Sequence, residues 1–217
     1  MKDVKGVIFD MDGVILDTES LSLEFWDKIL KNYGIQMNRE KHIFLMGRGK
    51  EDTIKLLNEM YGKDIPIEKY YKEKGDAFLD YLEENKPGVK KGFESLLKYL
   101  TENGYKTAIA TSTMRWKMKR RMKFLHFDEK VDYVICGDEV ENTKPNPEIF
   151  LKAAEKIGLK QNQCIVVEDS KAGVEAAFNG GFRCIMVPDL KKPDEDMKEK
   201  AFKIMESLEE LEEWLKK

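Results

Sequence analysis

The chain has 217 residues, and its 38 Lys and Arg against 41 Asp and Glu give a formal net charge of −3. This balance argues against a general binder of nucleic acid, which needs a basic surface. No apolar run reaches the roughly 18 residues that a membrane-spanning helix requires, and we expect no signal peptide at the N-terminus. Three cysteines, an odd number, predict reduced thiols in a cytoplasmic protein and not a disulfide framework.

The first predicted element is the apolar strand Gly6–Asp10, which leads into the segment Asp10-Met11-Asp12-Gly13-Val14. Side chains two residues apart on an extended strand point the same way, so we expect Asp10 and Asp12 to face one ligand. One carboxylate can serve as a nucleophile or metal ligand, and its neighbour as a general acid and base. The alternative for such a pair is a turn or a helix cap.

The next part of the chain predicts helices and no buried strand. Its helical patterns are Ser20–Tyr33, Arg39–Met46, Lys50–Tyr61 and Ile67–Glu84. Pro87-Gly88 marks the return to sequence that contains strands. We therefore expect residues 17–87 to form a helical domain inserted over the tip of the first strand. Residues 1–16 and 88–217 would form the core.

Four further apolar runs predict strands after the insertion: Thr107–Ala110, Tyr133–Cys136, Cys164–Glu168 and Arg183–Val187. They lack strict in-and-out alternation, as is typical of strands buried on both faces of a parallel sheet. Helices are predicted at Val89–Asn103, Pro147–Ile157 and Ser207–Lys217. The predicted fold class is α/β, a Rossmann-like parallel sheet core with an inserted helical-bundle cap.

Hydroxyl side chains follow the predicted strand Thr107–Ala110, at Thr111, Ser112 and Thr113. A hydroxyl and backbone N–H groups at a helix N-terminus bind an anion well. Alternatively, Ser112 or Thr113 simply caps the helix that follows. The basic run 115–123 favours a solvated helix face, with Arg115 at its start as a candidate contact to an anionic group.

Charged side chains follow two later elements. Lys144 directly precedes Pro145 in a short, stiff loop, where a fixed ammonium would neutralise ligand oxygens; an ordinary surface lysine is the alternative. Glu168 and Asp169 come at the end of a buried strand, where charge is costly unless a metal or a cationic side chain matches it. Oxygen ligands of this kind suit Mg²⁺.

Together these segments resemble the four ordered motifs of the haloacid dehalogenase superfamily. The motifs are Asp10-Met11-Asp12-Gly13-Val14 with Asp17-Thr18, then Thr111-Ser112, Lys144-Pro145 and Glu168-Asp169-Ser170. The inserted helices resemble the helical-cap subgroup, which contains β-phosphoglucomutase-like and phosphoglycolate-phosphatase-like members. The resemblance covers essentially the whole chain.

The resemblance implies a Mg²⁺-dependent enzyme that forms an aspartyl-phosphate on Asp10. Asp12 would be the general acid and base, and Thr111 and the N–H of Ser112 would hold the phosphoryl group. Lys144 would offset the charge on Asp10 and on that group. An acid at the position of Asp12 is similar to the phosphotransferases of the superfamily and not to its dehalogenases. The implied metal ligands are Asp10, Asp12 (through its backbone carbonyl), Glu168 and Asp169. The candidate substrate-binding residues are Ser112, Thr18, Arg48, Lys50 and Arg115.

The expected substrate is a small phosphorylated metabolite, and we expect a monomer without nucleic-acid or membrane partners. A phosphatase is favoured over a β-phosphoglucomutase-type mutase. Such mutases present a cap arginine to the distal phosphate and a histidine after the Asp-Thr pair, whereas this chain has Lys50 and Ser22 at those positions; Arg48 is an open substitute for the arginine. A non-catalytic phosphometabolite-binding protein is a further alternative, opposed by the intact motif residues.

Overall fold

The computed structural model describes residues 3–46, 48–62, 65–190 and 192–217. Strands are short and apolar. They are β1 (Gly6–Phe9), β2 (Leu16–Asp17), β3 (Gly88–Val89), β4 (Lys106–Thr111), β5 (Tyr133–Cys136), β6 (Cys164–Glu168), β7 (Arg183–Met186) and β8 (Lys203–Ile204).

Within the described residues, six strands form one sheet in the order β5-β4-β1-β6-β7-β8, and every pairing in it is parallel. The strand β1 lies between β4 and β6, with Val7 opposite Thr107 on one side and Ile165 on the other. All four residues of β1 are buried, as the continuous apolar run predicts. The predicted α/β class with a parallel sheet is confirmed.

Helices cover both faces of this sheet and also form the inserted segment. They are α1 (Glu19–Lys31), α2 (Arg39–Ile43), α3 (Lys50–Tyr61), α4 (Ile67–Glu84), α5 (Phe93–Glu102), α6 (Arg115–Met122), α7 (Glu148–Lys156), α8 (Lys171–Asn179), α9 (Glu195–Lys200) and α10 (Leu208–Leu215). None of the helices in the described part of the chain is long and apolar enough to span a membrane.

Two apolar cores lie on opposite faces of the sheet because successive strand side chains alternate. Val7 and Phe9 belong to the core that α5, α6 and α10 cover, whereas Ile8 belongs to the core under α7, α8 and α9. Helix α6 contributes its buried Met118 and Met122 and leaves Trp116 half exposed. The basic run is therefore a solvated helix face that packs through its methionines.

The inserted helices α1 to α4 contain an apolar core of their own around Trp26, Leu30 and Leu57. The chain leaves the sheet domain through β2 and returns through β3, which pair antiparallel with Leu16 opposite Val89. This pairing corrects the predicted helix that began at Val89. Helix α5 begins only at Phe93, after the left-handed Gly92 (φ +88°).

The five predicted strands agree with β1, β4, β5, β6 and β7 to within one residue at each end. The short strands β2, β3 and β8 were not predicted, since two residues are too few to show a hydrophobic pattern. The predicted division into residues 1–16 with 88–217, and residues 17–87, stays a proposal that the separate cores support.

Candidate active site

The candidate site lies at the C-terminal ends of three neighbouring strands. Asp10 follows β1, Thr111 ends β4 and Glu168 ends β6. The backbone N–H of Asp10 still donates to the carbonyl of Val167 at 3.0 Å, which fixes the start of the loop against β6. Because the strands are parallel and adjacent, these side chains meet at one edge of the sheet, where open α/β sheets bind ligands.

Lys144 joins the two buried carboxylates at the centre of the site. Its Nζ donates to Asp10 Oδ1 at 2.5 Å, to Glu168 Oε1 at 2.8 Å and to the carbonyl oxygen of Ala110 at 3.2 Å. The side chain of Lys144 is completely buried, so all three of its N–H bonds serve this network. Although burial opposes its charge, the carboxylates of Asp10 and Glu168 raise the pKa of Lys144. Lys144 is therefore a fixed cation and not a surface lysine.

Glu168 is a structural anchor of this network. Its Oε2 accepts hydrogen bonds from the backbone N–H groups of Asp169 and Ser170 and from the Ser170 hydroxyl, each at 2.9 Å. A Cβ at Gly173 would lie 1.8 Å from the Glu168 carboxyl carbon, so only glycine lets α8 approach so closely. Both oxygens of the buried Glu168 are thus engaged, one by Lys144 and the other by the loop, while a contact of Glu168 to a metal stays a prediction.

Asp169 supplies the observation that bears on a metal. Its Oδ2 is buried and has no hydrogen-bond partner in the described part of the chain. Burial raises the pKa of Asp169 well above its ordinary value, and the carboxylates of Glu168, Glu19 and Asp10 raise it further. An unpaired buried oxygen among several carboxylates fits a hard cation such as Mg²⁺, which takes oxygen ligands.

Burial also raises the pKa of Asp10, to about 7, against the opposing charge of Lys144. A second cation beside Asp10 would favour its ionised form. The residues present therefore fit Mg²⁺ at Asp10 and Asp169, as the resemblance implies.

Three side chains hold the carboxylate of Asp12. The Thr18 hydroxyl donates to Oδ1 at 2.7 Å, while the Thr113 hydroxyl and Arg121 Nη1 donate to Oδ2 at 3.2 and 2.5 Å. The side chain of Asp12 is 19% exposed, so it is oriented by the protein and open to the cleft. Thr18, a candidate substrate contact, instead directs its proton at Asp12.

The three hydroxyl residues that end and follow β4, Thr111, Ser112 and Thr113, have different contacts. Thr111 Oγ1 accepts from the backbone N–H of Thr113 at 3.1 Å, and Ser112 lines the cleft beside it. Neither Ser112 nor Thr113 caps the next helix. The N-cap of α6 is Met114, and Asp138 accepts the N–H of Arg115 at 2.8 Å in place of a cap side chain.

Arg115 requires a correction. Its Nη2 donates to the carbonyl of Val134 and forms an ion pair with Glu139, and it is not among the residues that line the cleft. The guanidinium is therefore fixed against β5 and its following loop, and Arg115 is not a substrate contact. Arg121, almost two turns further along α6, is the arginine of the basic run that reaches the site.

A cleft of about 780 Å³ lies between the strand ends and the inserted helices. Arg48 and Lys50 line its cap side at the start of α3, although Arg48 Nε donates to the carbonyl of Phe44 at 3.0 Å. The same end of α3 contacts the loop before Lys144, where the Thr143 hydroxyl donates to Asp52 at 2.9 Å. The cap is thus bonded to the loop that carries the buried lysine.

Sequence reasoning missed several cleft residues because they lie on helices far apart in the chain. These residues are Arg121, Glu19, His42 and Lys74. Two weak signals were present: His42 is one of only two histidines, and Arg121 belongs to the basic run. Neither signal shows which face of its helix the side chain occupies.

The family model described as haloacid dehalogenase-like hydrolase matches residues 7–187. The chain belongs to this family. It is 34% identical over 186 residues to the phosphorylated carbohydrates phosphatase of Thermotoga maritima, covering 84% of each chain. It is 29% identical over 187 residues to the fructose-1-phosphate phosphatase of Escherichia coli, covering 84% of this chain and 95% of that one.

Solved structures share the fold of this chain. CbbY of Rhodobacter sphaeroides in complex with phosphate aligns with a TM-score of 0.81 and 25% identity, covering 96% of each chain. The β-phosphoglucomutase of Clostridium difficile aligns with a TM-score of 0.84 and 23% identity, covering 98% of this chain and 96% of that one. At that identity the second likeness speaks for the fold alone.

Proposed function

We propose that this haloacid dehalogenase-like hydrolase is a Mg²⁺-dependent phosphatase that hydrolyses the phosphate monoester of a small metabolite through an aspartyl-phosphate. The proposal depends above all on one observation. Two carboxylates lie two residues apart in the chain, and each has a different set of hydrogen-bond donors and a different exposure to the cleft. Asp10 is buried against the Lys144 ammonium. Asp12 is open to the cleft and held by hydroxyl and guanidinium donors.

The first step is attack on phosphorus by a carboxylate oxygen of Asp10. A bond forms between this oxygen and phosphorus, the bond from phosphorus to the ester oxygen breaks, and the leaving alcohol takes a proton from the Asp12 carboxyl group. Lys144 offsets the negative charge of Asp10 and of the phosphoryl oxygens, so that two anions can meet. Thr111 and the N–H of Ser112 would hold the phosphoryl group in line.

The second step uses the same residues in reverse. The Asp12 carboxylate accepts a proton from water as the water oxygen bonds to phosphorus, and the bond from phosphorus to the Asp10 oxygen breaks. Inorganic phosphate leaves, and Asp10 and Asp12 return to their starting states. The donors Thr18, Thr113 and Arg121 keep Asp12 within reach of the ester oxygen in the first step and of the water oxygen in the second.

Asp10, Asp169 and the backbone carbonyl of Asp12 would hold Mg²⁺, with Glu168 acting only through the network that it anchors. When bound, the ion supplies positive charge that stabilises the phosphoryl oxygens and keeps Asp10 ionised. Removal of Mg²⁺ with a chelator should therefore stop phosphate release, and its return should restore it.

The named relatives support a carbohydrate-type phosphomonoester as substrate, since two of them are phosphatases of phosphorylated sugars. A mutase of the β-phosphoglucomutase type is the second candidate, although the likeness to such a mutase extends only to the fold. It is less well supported because Lys50 lacks a two-pronged grip on a distal phosphate and Arg48 Nε is engaged with Phe44. We also propose that the protein acts as a monomer in the cytoplasm, consistent with three buried free cysteines.

The test measures phosphate release from p-nitrophenyl phosphate with Mg²⁺. Asp10→Asn should abolish turnover while the fold remains, because an amide cannot act as the nucleophile. Asp76→Asn, an exposed position on α4, is the matched control and should retain full activity. Undiminished turnover by Asp10→Asn would contradict the mechanism.

A second assay separates the two candidate functions. The enzyme is given β-glucose 1-phosphate with a trace of glucose 1,6-bisphosphate, and free phosphate and glucose 6-phosphate are followed together. Phosphate without glucose 6-phosphate supports the phosphatase. Glucose 6-phosphate formed much faster than phosphate would show a mutase.

A further inference from the structure

A second group of polar side chains lines the cap side of the cleft and takes no part in the phosphoryl-transfer steps. The group consists of Glu19 and Ser22 on α1, His42 on α2 and Lys74 on α4. Three helices thus bring a carboxyl group, a hydroxyl, an imidazole and an ammonium to one wall. Burying such groups costs free energy unless each finds a partner.

Lys74 is held in place, but its ammonium group does not have an acceptor for every N–H bond. Its Nζ donates to the Ser22 hydroxyl at 2.7 Å and lies 4.6 Å from the ring centre of Phe78 and 5.6 Å from that of Trp26. Within the described ranges, this leaves two of its three N–H bonds without an acceptor. Burial and the nearby Arg121 guanidinium lower the pKa of Lys74 to about 7.

Glu19 faces Lys74 without pairing with it. The side chain is 12% exposed, and His42 Nε2 lies 3.8 Å from one of its carboxyl oxygens. Among residues that the structure describes, no donor lies within hydrogen-bonding distance of this carboxyl group. Its charge interacts with that of Lys74, but the two groups form no direct ion pair. Burial and the Asp12 carboxylate raise the pKa of Glu19 to about 8.

His42 completes the wall as a neutral ring. Its Nε2 lies 3.3 Å from the Ser22 hydroxyl, and its Nδ1 is buried without a hydrogen-bond partner in the described part of the chain. Burial and Lys74 lower the pKa of His42 to about 3, so the imidazole is uncharged near neutral pH. A neutral imidazole can donate at one nitrogen and accept at the other.

A hydroxyl group suits the gap between these side chains because it both donates and accepts. Such a hydroxyl can donate to Glu19 while it accepts from Lys74. The two side chains are too far apart to form a hydrogen bond with each other. A second phosphate, which only accepts, would instead face the Glu19 carboxyl group beside Asp12. The wall therefore matches an uncharged, hydroxyl-bearing part of a substrate better than a second anion.

We propose that Glu19, His42 and Lys74 bind a hydroxyl of the alcohol that leaves with the ester oxygen, so that the enzyme selects polyol or sugar monophosphates. This inference rests on the proposed phosphatase function. The reacting groups Asp10 and Asp12 lie across the same cleft, which places the wall on the leaving-group side.

The test compares two phosphate monoesters of equal carbon number, sorbitol 6-phosphate and n-hexyl phosphate, by kcat/KM. The wild-type enzyme should prefer the sorbitol ester by about 100-fold or more, since a site built for a hydroxyl rejects an analogue without it. Lys74→Met, which keeps the length of the side chain, should reduce this preference by about tenfold. Glu19→Met should reduce it similarly.

Lys72→Met provides the matched control, because Lys72 lies on the same helix with its side chain 81% exposed. This variant should keep the wild-type preference. Equal rates for the two esters, an unchanged preference in both Lys74→Met and Glu19→Met, or a preference for mannitol 1,6-bisphosphate over both would overturn the inference. Phosphate release from n-hexyl phosphate in those cases would leave the phosphatase function standing.

Discussion

At the scale of single residues, the carboxylate of Asp12 depends on donors from distant parts of the chain. Thr18 follows the motif directly, whereas Thr113 and Arg121 lie about a hundred residues later. A general acid must return to the same orientation in both steps of the reaction, and hydrogen bonds from fixed elements supply that orientation. The contribution of each donor can be measured separately.

Thr18→Val removes one of these donors with little change of volume. Thr18 is buried, and a hydrogen bond to a charged group contributes about 1.5–3 kcal/mol. If that contribution is made fully in the transition state, kcat should fall about ten- to a hundredfold with little change in KM. Thr101→Val, which removes a hydroxyl bonded to the Leu97 carbonyl in α5, is the control. Equal kcat values for the two variants would show that Thr18 does not position Asp12.

The sequence identifies the residues at strand ends far better than those on helices. Asp10, Asp12 and Asp169 could be predicted because an apolar strand followed by acids is a local pattern. Arg121 could not, because a basic helix presents several arginines and only tertiary packing decides which one turns inward. The start of the run favours Arg115 instead, but its ion pair with Glu139 depends on how α6 packs beside the segment that follows β5.

At the scale of elements, helix α8 shows how closely a helix is fitted to the site. Gly173 faces the Glu168 carboxyl group, which is fully buried and cannot move aside. Helix α4 contains a glycine, Gly75, that has room for a side chain. A Cβ at Gly75 would meet only Lys117 Nζ, at an ordinary 3.5 Å.

This contrast gives a paired prediction. Gly173→Ala should lower the free energy of unfolding by about 3 kcal/mol or more, because the methyl group overlaps a buried ion-pair network. Gly75→Ala should raise it by about 0.5–1 kcal/mol, because alanine favours the helix. Urea denaturation of the two variants measures both changes. Similar stabilities for the two variants would contradict the described packing around Glu168.

The boundaries of five of the six sheet strands were predictable, whereas those of β8 and of the ribbon formed by β2 and β3 were not. Apolar runs such as Cys164–Glu168 show a strand by composition alone. The pairing of Leu16 with Val89 depends on bringing together residues separated by the whole insertion. Residues after Pro87 therefore resembled the start of a helix until that partner was known.

At the scale of the whole molecule, His42 couples stability to pH. Its pKa is about 3 in the folded protein, below its ordinary value of 6.5, because the ring is buried beside Lys74. Between these two values the unfolded chain binds more protons than the folded one. This contribution to stability is therefore complete above pH 6.5 and is lost as the pH falls toward 3.

The measurement compares wild type with His42→Gln by urea denaturation at several pH values. The difference in unfolding free energy should change by up to about 1.4 kcal/mol per pH unit below pH 6.5, with wild type losing more. His126→Gln, at an exposed position, should follow wild type throughout. Parallel curves for wild type and His42→Gln would show that His42 does not carry this dependence.

The ribbon of β2 and β3 has a consequence for the history of such proteins. Because Leu16 lies opposite Val89, the chain departs from the sheet domain and rejoins it at adjacent points. In the described residues between them, no strand of the six-stranded sheet occurs. A recombination event that exchanged the residues between Thr18 and Gly88 would alter the wall that meets the leaving group. It would leave Asp10, Lys144 and Asp12 with its donor Thr18 untouched. New substrates can thus be acquired in evolution by exchanging one cassette, while the reaction itself is inherited unchanged.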